Sequence, residues 1–277
     1  HGPVSVEQVL SDATGHETAP KLDRRQMSEL AACLPGRTLD APRAQEIADT
    51  TALQRRYRVA DWLQDSRQWS DAVRHFELLA SHKPDWALIR RHLANLYLEL
   101  NQTDRAEDAI FKAIELDPKS ARARNTFGLI RSRQGNVEQA ESEFRNAIAL
   151  DEEFAGAHNN LGIALAMQNQ VIEGGKHFAR AIQLDVEFAQ AHANLANVYA
   201  AIGNAERAVR HYQLAIRFDP QDLEPYNNLG TMYRRSGQIE EAIQCYQHVL
   251  KRDPNHAGAR RNLQRANQLL RSRPQPP

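Results

Sequence analysis

The sequence predicts an all-α solenoid, and three observations carry that reading. A block of 34 residues recurs in fixed register from Leu53 to His256. Within each block the apolar residues fall three and four apart, as they do on one face of a helix. At the places where two helices must cross closely, the chain uses only alanine and glycine. Repetition at this length marks a stack of supersecondary units, none of which buries its apolar face alone.

The block from Ala189 to Asp222 shows the logic of one unit most clearly. Leu195, Ala196 and Tyr199 share a face of a first helix, and Ala208, Tyr212 and Ala215 share a face of a second. Gly203 lies between them and can take the positive φ that ends the first helix. Ala196 and Ala208 let the two backbones approach, while the tyrosines fill the space on either side. Pro220 cannot continue the second helix.

The other blocks, 53–86, 87–120, 121–154, 155–188 and 223–256, keep the same register. The first crossing position reads Ala60, Ala94, Gly128, Gly162, Ala196 and Gly230, and the second reads Ala72, Ala106, Ala140, Gly174, Ala208 and Ala242. The bulky position between them reads Phe76, Ile110, Phe144, Phe178, Tyr212 and Tyr246. Two positions vary. The turn glycine becomes Asn101, Asn169 and Arg67, of which asparagine tolerates the left-handed conformation better. The closing proline, present at Pro84, Pro118, Pro220 and Pro254, gives way to Glu152 and Val186, so those blocks are expected to run more smoothly into their successors.

From these residues the sequence resembles the tetratricopeptide repeat family between Leu53 and about Leu270. The resemblance implies a right-handed superhelix of about six helical hairpins, with first helices lining a concave side and second helices outside. Ala257–Leu270 keeps the phase with Leu263, Ala266, Leu269 and Leu270, and carries Arg260, Arg261, Arg265 and Arg271 outward, as a solvated capping helix should. The solenoid is expected over 42–270, with Pro42 opening a long first helix. Residues 1–41 read as an irregular segment holding one short amphipathic helix, Leu22–Leu34, and 271–277 as a disordered tail. A chain that starts at His1 without methionine suggests that a signal peptide, an upstream domain or a tag has been removed.

Composition narrows the function. The formal net charge is zero, which argues against a nucleic-acid partner. The most apolar run, Leu161–Met167, is far short of a membrane span. Cys33 and Cys245 are too few for a metal cluster or a disulfide framework, and they leave the compartment open, bacterial cytoplasm and periplasm alike.

No catalytic, cofactor or metal constellation appears. His16 and Glu17 lack the second histidine of a zinc-protease helix, and Gly174, Gly175 and Lys176 lack the upstream glycine of a phosphate loop. His75, His177, His211 and Cys245 share one repeat position, but equivalent positions lie about one helix diameter apart, roughly 10 Å. Ligands of one zinc must each lie about 2 Å from it. His158 and His192 share another position and read as packing. Asn101, Gln102 and Thr103 spell a glycosylation sequon in a turn.

What stands out is an asparagine row. The sixth residue of three consecutive blocks is Asn160, Asn194 and Asn228, with Asn159 and Asn227 adjacent and Asn197 one turn on. An amide donates and accepts at once, so a row at repeat spacing can pair with the backbone of an extended peptide whatever its side chains. The same residues could instead face water or cap turns. The row is similar to that in the superhelical repeats of O-linked N-acetylglucosamine transferases, which implies an extended polypeptide in the groove. Met167, with Ile163, Ala166 and Ala193, would give the groove an apolar lining. Toward the N-terminus the equivalent positions become Arg58, Asp61, Arg91, His92, Asn95 and Arg133, which predict a partner with acidic groups. The family's two-carboxylate clamp is incomplete, because Thr126 and Gly156 stand where asparagine and lysine are needed.

The sequence therefore points to a non-catalytic scaffold that binds an extended peptide or a partner helix in a concave groove. Two alternatives stay open at this point. The chain could be the substrate-recruiting region of a larger enzyme such as a glycosyltransferase, or a self-assembling structural protein.

Overall fold

The computed structural model describes residues 41–272, and these form helices joined by short turns. In chain order the helices are α1 (Ala41–Asp65), α2 (Trp69–His82), α3 (Ala87–Glu99), α4 (Thr103–Leu116), α5 (Ala121–Arg133), α6 (Val137–Leu150) and α7 (Ala155–Met167). They continue as α8 (Val171–Leu184), α9 (Ala189–Ala201), α10 (Ala205–Phe218), α11 (Glu224–Arg235), α12 (Ile239–Arg252) and α13 (Ala257–Arg271). The fold is the all-α solenoid that the repeat implies. The expected helix at Leu22–Leu34, the rest of the N-terminal segment and the tail after Ser272 lie outside the described residues. The chain divides into two compact units, one ending at Gln134 and the other starting at Gly135. None of the described helices is long and apolar enough to cross a membrane.

Each hairpin is built from local chemistry. Second helices carry a carboxylate in the first turn, at Asp71, Asp104, Glu138, Glu173, Glu206 and Glu240, where it meets the positive end of the helix dipole. First helices end on a left-handed residue: Arg67, Asn101, Asn169, Gly135, Gly203 and Gly237 all have φ between 56° and 83°. That conformation lets the next amide reach back five residues, as Asn204 N does to Tyr199 O at 2.8 Å and Gln102 N to Tyr97 O at 2.8 Å.

The crossing positions need their small residues. A Cβ on Gly162 would lie 2.6 Å from the Phe178 ring and 2.9 Å from the Gly174 carbonyl oxygen, and one on Gly230 would lie 2.7 Å from Tyr246. Phe76, Ile110, Phe144 and Tyr246 fill the space beside these contacts and are almost fully buried. Each buried side chain of this size contributes about 1.5–3 kcal/mol.

The blocks without a closing proline do not run on more smoothly. α6 and α8 stop at Leu150 and Leu184, and the next helices begin at Ala155 and Ala189, the same interval as after Leu116 where Pro118 is present. An aspartate holds every one of these loops. Asp151 Oδ1 accepts from Glu153 N at 3.0 Å and Asp185 Oδ1 from Glu187 N at 3.0 Å, just as Asp117 and Asp219 do beside their prolines. The aspartate turn, rather than the proline, ends the helix.

Candidate partner-binding surface

In the second unit, successive first helices touch one another directly, α7 with α9 and α11 with α13. Helices that do so lie on the inside of a stack, so residues on their free face share one surface. That face carries the asparagines, and the structure joins them into a ladder. Asn194 on α9 donates through Nδ2 to Asn159 Oδ1 on α7 at 3.0 Å, and Asn228 on α11 donates to Asn197 Oδ1 on α9 at 3.3 Å. The step repeats once more on the capping helix, where Asn262 donates to Asn227 Oδ1 at 3.0 Å.

The row therefore has two kinds of member. Asn159 and Asn227 are buried at 1% and 9% exposure and serve as acceptors between repeats. Asn160, Asn194 and Asn228 are half-buried, and Asn197 is exposed. The ladder occupies one N–H of Asn194 and one of Asn228, out of two N–H groups and a carbonyl on each, and Asn228 Oδ1 also accepts from Asn227 Nδ2 at 3.5 Å. Asn197 Oδ1 also accepts from the Tyr212 hydroxyl at 2.6 Å. Burial pushes that phenol up to about 12, so it remains a donor at any physiological pH. Asn194 and Asn228 are thus each held in one orientation by the previous repeat. Met167 ends α7 with 59% of its surface exposed, beside half-buried Ile163 and Ala166.

Asn262 was missed by sequence reasoning, although a step of 34 residues from Asn228 reaches it. Assigning α13 to a cap, and counting only its arginines, hid the fourth member of the row.

The first unit organises its equivalent face differently. Arg91 on α3 lines a cavity of about 640 Å³ together with Tyr57, Asp61, Asp117 and Arg122. Carboxylates are therefore interspersed with the guanidinium groups. Its neighbour His92 is sealed in: Nε2 lies 3.1 Å from the Tyr57 hydroxyl, Nδ1 lies 3.0 Å from Gln64 Oε1, and the ring stacks on Phe76 at 4.9 Å. Burial, helped by the Arg91 charge, takes this imidazole down to about 3, so it is neutral. Asn95 accepts from Thr126 Oγ1 at 3.0 Å, and exposed Arg133 donates to Asn101 Oδ1 at 3.3 Å. The structure thus engages Asn95 in an inter-repeat bond and places Arg133 at the end of α5.

Models of the tetratricopeptide repeat match residues 63–126, 125–185 and 224–256, and a further TPR repeat model matches 197–235. No curated protein sequence matches the chain. Among solved structures the chain is similar to a crystal structure of the APC/C hetero-tetramer Cut9–Hcn1, with a TM-score of 0.73 at 19% identity over 77% of this chain. It spans 42% of the length of the chain it matches there. It is also similar to PilW, a widely conserved type IV pilus biogenesis factor, with a TM-score of 0.65 at 18% identity over 76% of this chain and 98% of that one. A third likeness is to YrrB, described as a TPR protein with an unusual peptide-binding site, with a TM-score of 0.50 at 22% identity over 67% and 96%. At these identities the likeness is one of fold.

Proposed function

Because the chain belongs to the tetratricopeptide repeat family, whose repeats generally serve protein–protein interaction, we propose that it is a scaffold binding an extended segment of a partner protein. The segment lies along the first-helix face of the second unit. The observation that carries this reading is the amide ladder. A lone surface asparagine rotates freely and would lose that freedom on binding, whereas Asn194 and Asn228 are already oriented by Asn159 and Asn197. Their remaining N–H and carbonyl groups recur once per repeat, a spacing suited to the backbone of an extended chain. Half-buried Ile163 and Ala166 and exposed Met167 would receive its apolar side chains.

In the first unit Arg91, Asn95 and Arg133 remain candidates for contacts with acidic groups. YrrB, with the same repeat fold, is described as having a peptide-binding site, which lends the reading support by analogy. The architecture resembles that of non-catalytic scaffold proteins.

A peptide library displayed against the full chain, followed by N-methylation of selected binders at alternate backbone positions, tests this reading. Backbone recognition by the row predicts weak side-chain consensus and a loss of affinity of about tenfold per blocked N–H. Binders that tolerate N-methylation throughout, or that bind the Asn160→Ala, Asn194→Ala, Asn228→Ala triple variant equally well, would remove the row from the site.

A further inference from the structure

Two histidine pairs repeat one geometry a block apart. His158 on α7 faces His177 on α8 with Nδ1 to Nδ1 at 3.1 Å, and His192 on α9 faces His211 on α10 at 3.0 Å. The outer nitrogen of each first-helix ring meets a loop carbonyl: His158 Nε2 lies 3.2 Å from Glu152 O and His192 Nε2 lies 3.1 Å from Val186 O. A carbonyl only accepts, so Nε2 carries the proton and Nδ1 offers a lone pair, and the second-helix ring must donate through its own Nδ1. Glu152 and Val186 are the two positions where the closing proline is absent. Each pair therefore clasps an unproline-stiffened loop and both helices of a hairpin at one point.

The geometry suits a proton and not a metal. Ring centres lie 5.4 and 5.2 Å apart, close to the nitrogen gap plus the two ring radii, so each lone pair aims at the opposite nitrogen. A shared zinc would need about 2.0–2.1 Å to both nitrogens and hence a position off that line.

A first added proton can go to the outer nitrogen of His177 or His211 and leave the bond intact. Protonating Nδ1 of His158 or His192 sets two N–H groups head to head, and the bond is lost. The surroundings resist both steps. Arg180 faces His158; Arg145 from α6 and Lys176 stand beside His177, with Glu173 opposing them; Arg207 and Arg210 stand beside His211. The Val186 carbonyl and Asp185 favour charge on His192, as the Glu152 carbonyl does on His158, and the Phe218 and Tyr199 rings cover the second pair. Burial, the largest cause in each case, holds all four imidazoles below their usual range, His211 at about 4.

We propose that the two pairs are acid-sensitive latches on the asparagine row, which loosen the α7–α8 and α9–α10 hairpins and release bound peptide as the medium acidifies. The connection is direct: His158 immediately precedes Asn159 and Asn160, and His192 stands two residues before Asn194. This regulation rests on the row being the binding site. For a histidine depressed on folding, the unfolded form binds more protons, so stability is constant above about pH 6.5 and falls as pH drops from there toward the folded value.

Hydrogen exchange of the full chain without peptide, at pH 7.5 and 5.5 and corrected for intrinsic rates, reads the latch by itself. Protection in α7–α10 should fall at pH 5.5 by roughly tenfold for each imidazole that must stay neutral. In the His177→Gln, His211→Gln variant the amide can donate to an unprotonated Nδ1 or turn to accept from a protonated one, so the drop should shrink there to the part that burial of His158 and His192 alone imposes. It should persist around α1–α3, where His92 is untouched, which controls for folding. Peptide binding at both pH values then follows the exchange. Unchanged protection at pH 5.5, or an equal drop in the glutamine variant, overturns the latch. An intact exchange response with peptide affinity indifferent to pH breaks the link to the row, and affinity at pH 7.5 indifferent to the asparagine variants overturns the row itself.

Discussion

The two units share a 34-residue frame yet treat the sixth position of each block in opposite ways. In the first unit this position is exposed Arg58, buried Thr126, which donates to Asn95, and His92, closed over by Tyr57, Gln64 and the face of Phe76. In the second it is Asn160, Asn194 and Asn228, half-buried and tied sideways from repeat to repeat. The crossing residues fix how closely helices pack and are alanine or glycine throughout, so position six is released from holding the hairpin together. One unit uses it to add a packed ring to its core. The other uses it to present hydrogen-bonding groups at repeat spacing.

The largest test of that contrast gives the first unit the second unit's residue. His92→Asn removes a stacked ring 7% exposed and leaves the Tyr57 hydroxyl and Gln64 without their partner. It should cost about 2–4 kcal/mol in denaturant unfolding. The same residue sets a pH response. With the folded imidazole near 3 and the unfolded one near its ordinary 6.5, stability is constant above that value and falls as pH drops through the interval, by about 1.4 kcal/mol per pH unit. Replacing His92 with glutamine should flatten the slope, a change that unfolding midpoints across pH 4–7 would register.

Next in size is the crossing itself. In the second unit Gly162 meets Gly174, where the first unit has Ala94 and Ala106, both fully buried. Gly162→Ala drives a methyl against a carbonyl oxygen that cannot retreat without moving α8. The cost should be about 1–3 kcal/mol in thermal or urea unfolding. Ala94→Gly should instead lose no more than about 1 kcal/mol through backbone entropy. Equal costs would show that the alanine pair and the glycine pair hold their helices at the same separation.

The frame was legible in the sequence because it is one-dimensional: each crossing and turn residue acts on a neighbour at a fixed offset, so a register of Ala, Gly and Asn states the packing outright. Even Arg67, the least suitable turn residue, takes the expected φ of 58°. The links between repeats were harder to read. Asn194 to Asn159 spans 35 residues and Asn228 to Asn197 spans 31, so one row uses two offsets, and which acceptor is chosen depends on side-chain reach. The histidine pairs failed to appear for a similar reason. His158 with His192, and His177 with His211, were grouped as equivalent positions along the chain, while the contact runs across the hairpin between the two groups. The loop geometry at Glu152 and Val186 was misjudged because proline was given the role that Asp151 and Asp185 perform.

A smaller effect separates the two kinds of asparagine. Asn262→Ala strips the amide donor from Asn227 Oδ1, while the Asn227 Nδ2 keeps only its long donation to Asn228 Oδ1 at 3.5 Å. A buried acceptor left in that state should cost about 1 kcal/mol. Asn197 lies exposed, but Asn197→Ala removes the acceptor of both Asn228 and Tyr212, so it too should cost about 1 kcal/mol, with peptide binding weakened as well. If Asn262→Ala left stability untouched while weakening binding, the capping helix would be part of the partner surface and not merely its anchor.

The smallest test concerns the turn that both units share. Gly203 and Gly237 take the left-handed conformation without cost, whereas Arg67 carries a Cβ into it at φ 58°. Arg67→Gly removes that strain, about 1–2 kcal/mol, but gives the unfolded chain more freedom, which returns about 0.5–1 kcal/mol. The net gain should be about 0.5–1 kcal/mol, seen as a modest rise in the melting temperature of the first unit. Because the Arg67 amide already donates to Gln64 O at 3.0 Å through its backbone, the turn's own hydrogen bonds survive the change. A loss of stability would mean that the arginine side chain contributes more than the strain it imposes, and that the first unit tolerates an unsuited turn residue for the sake of that contact.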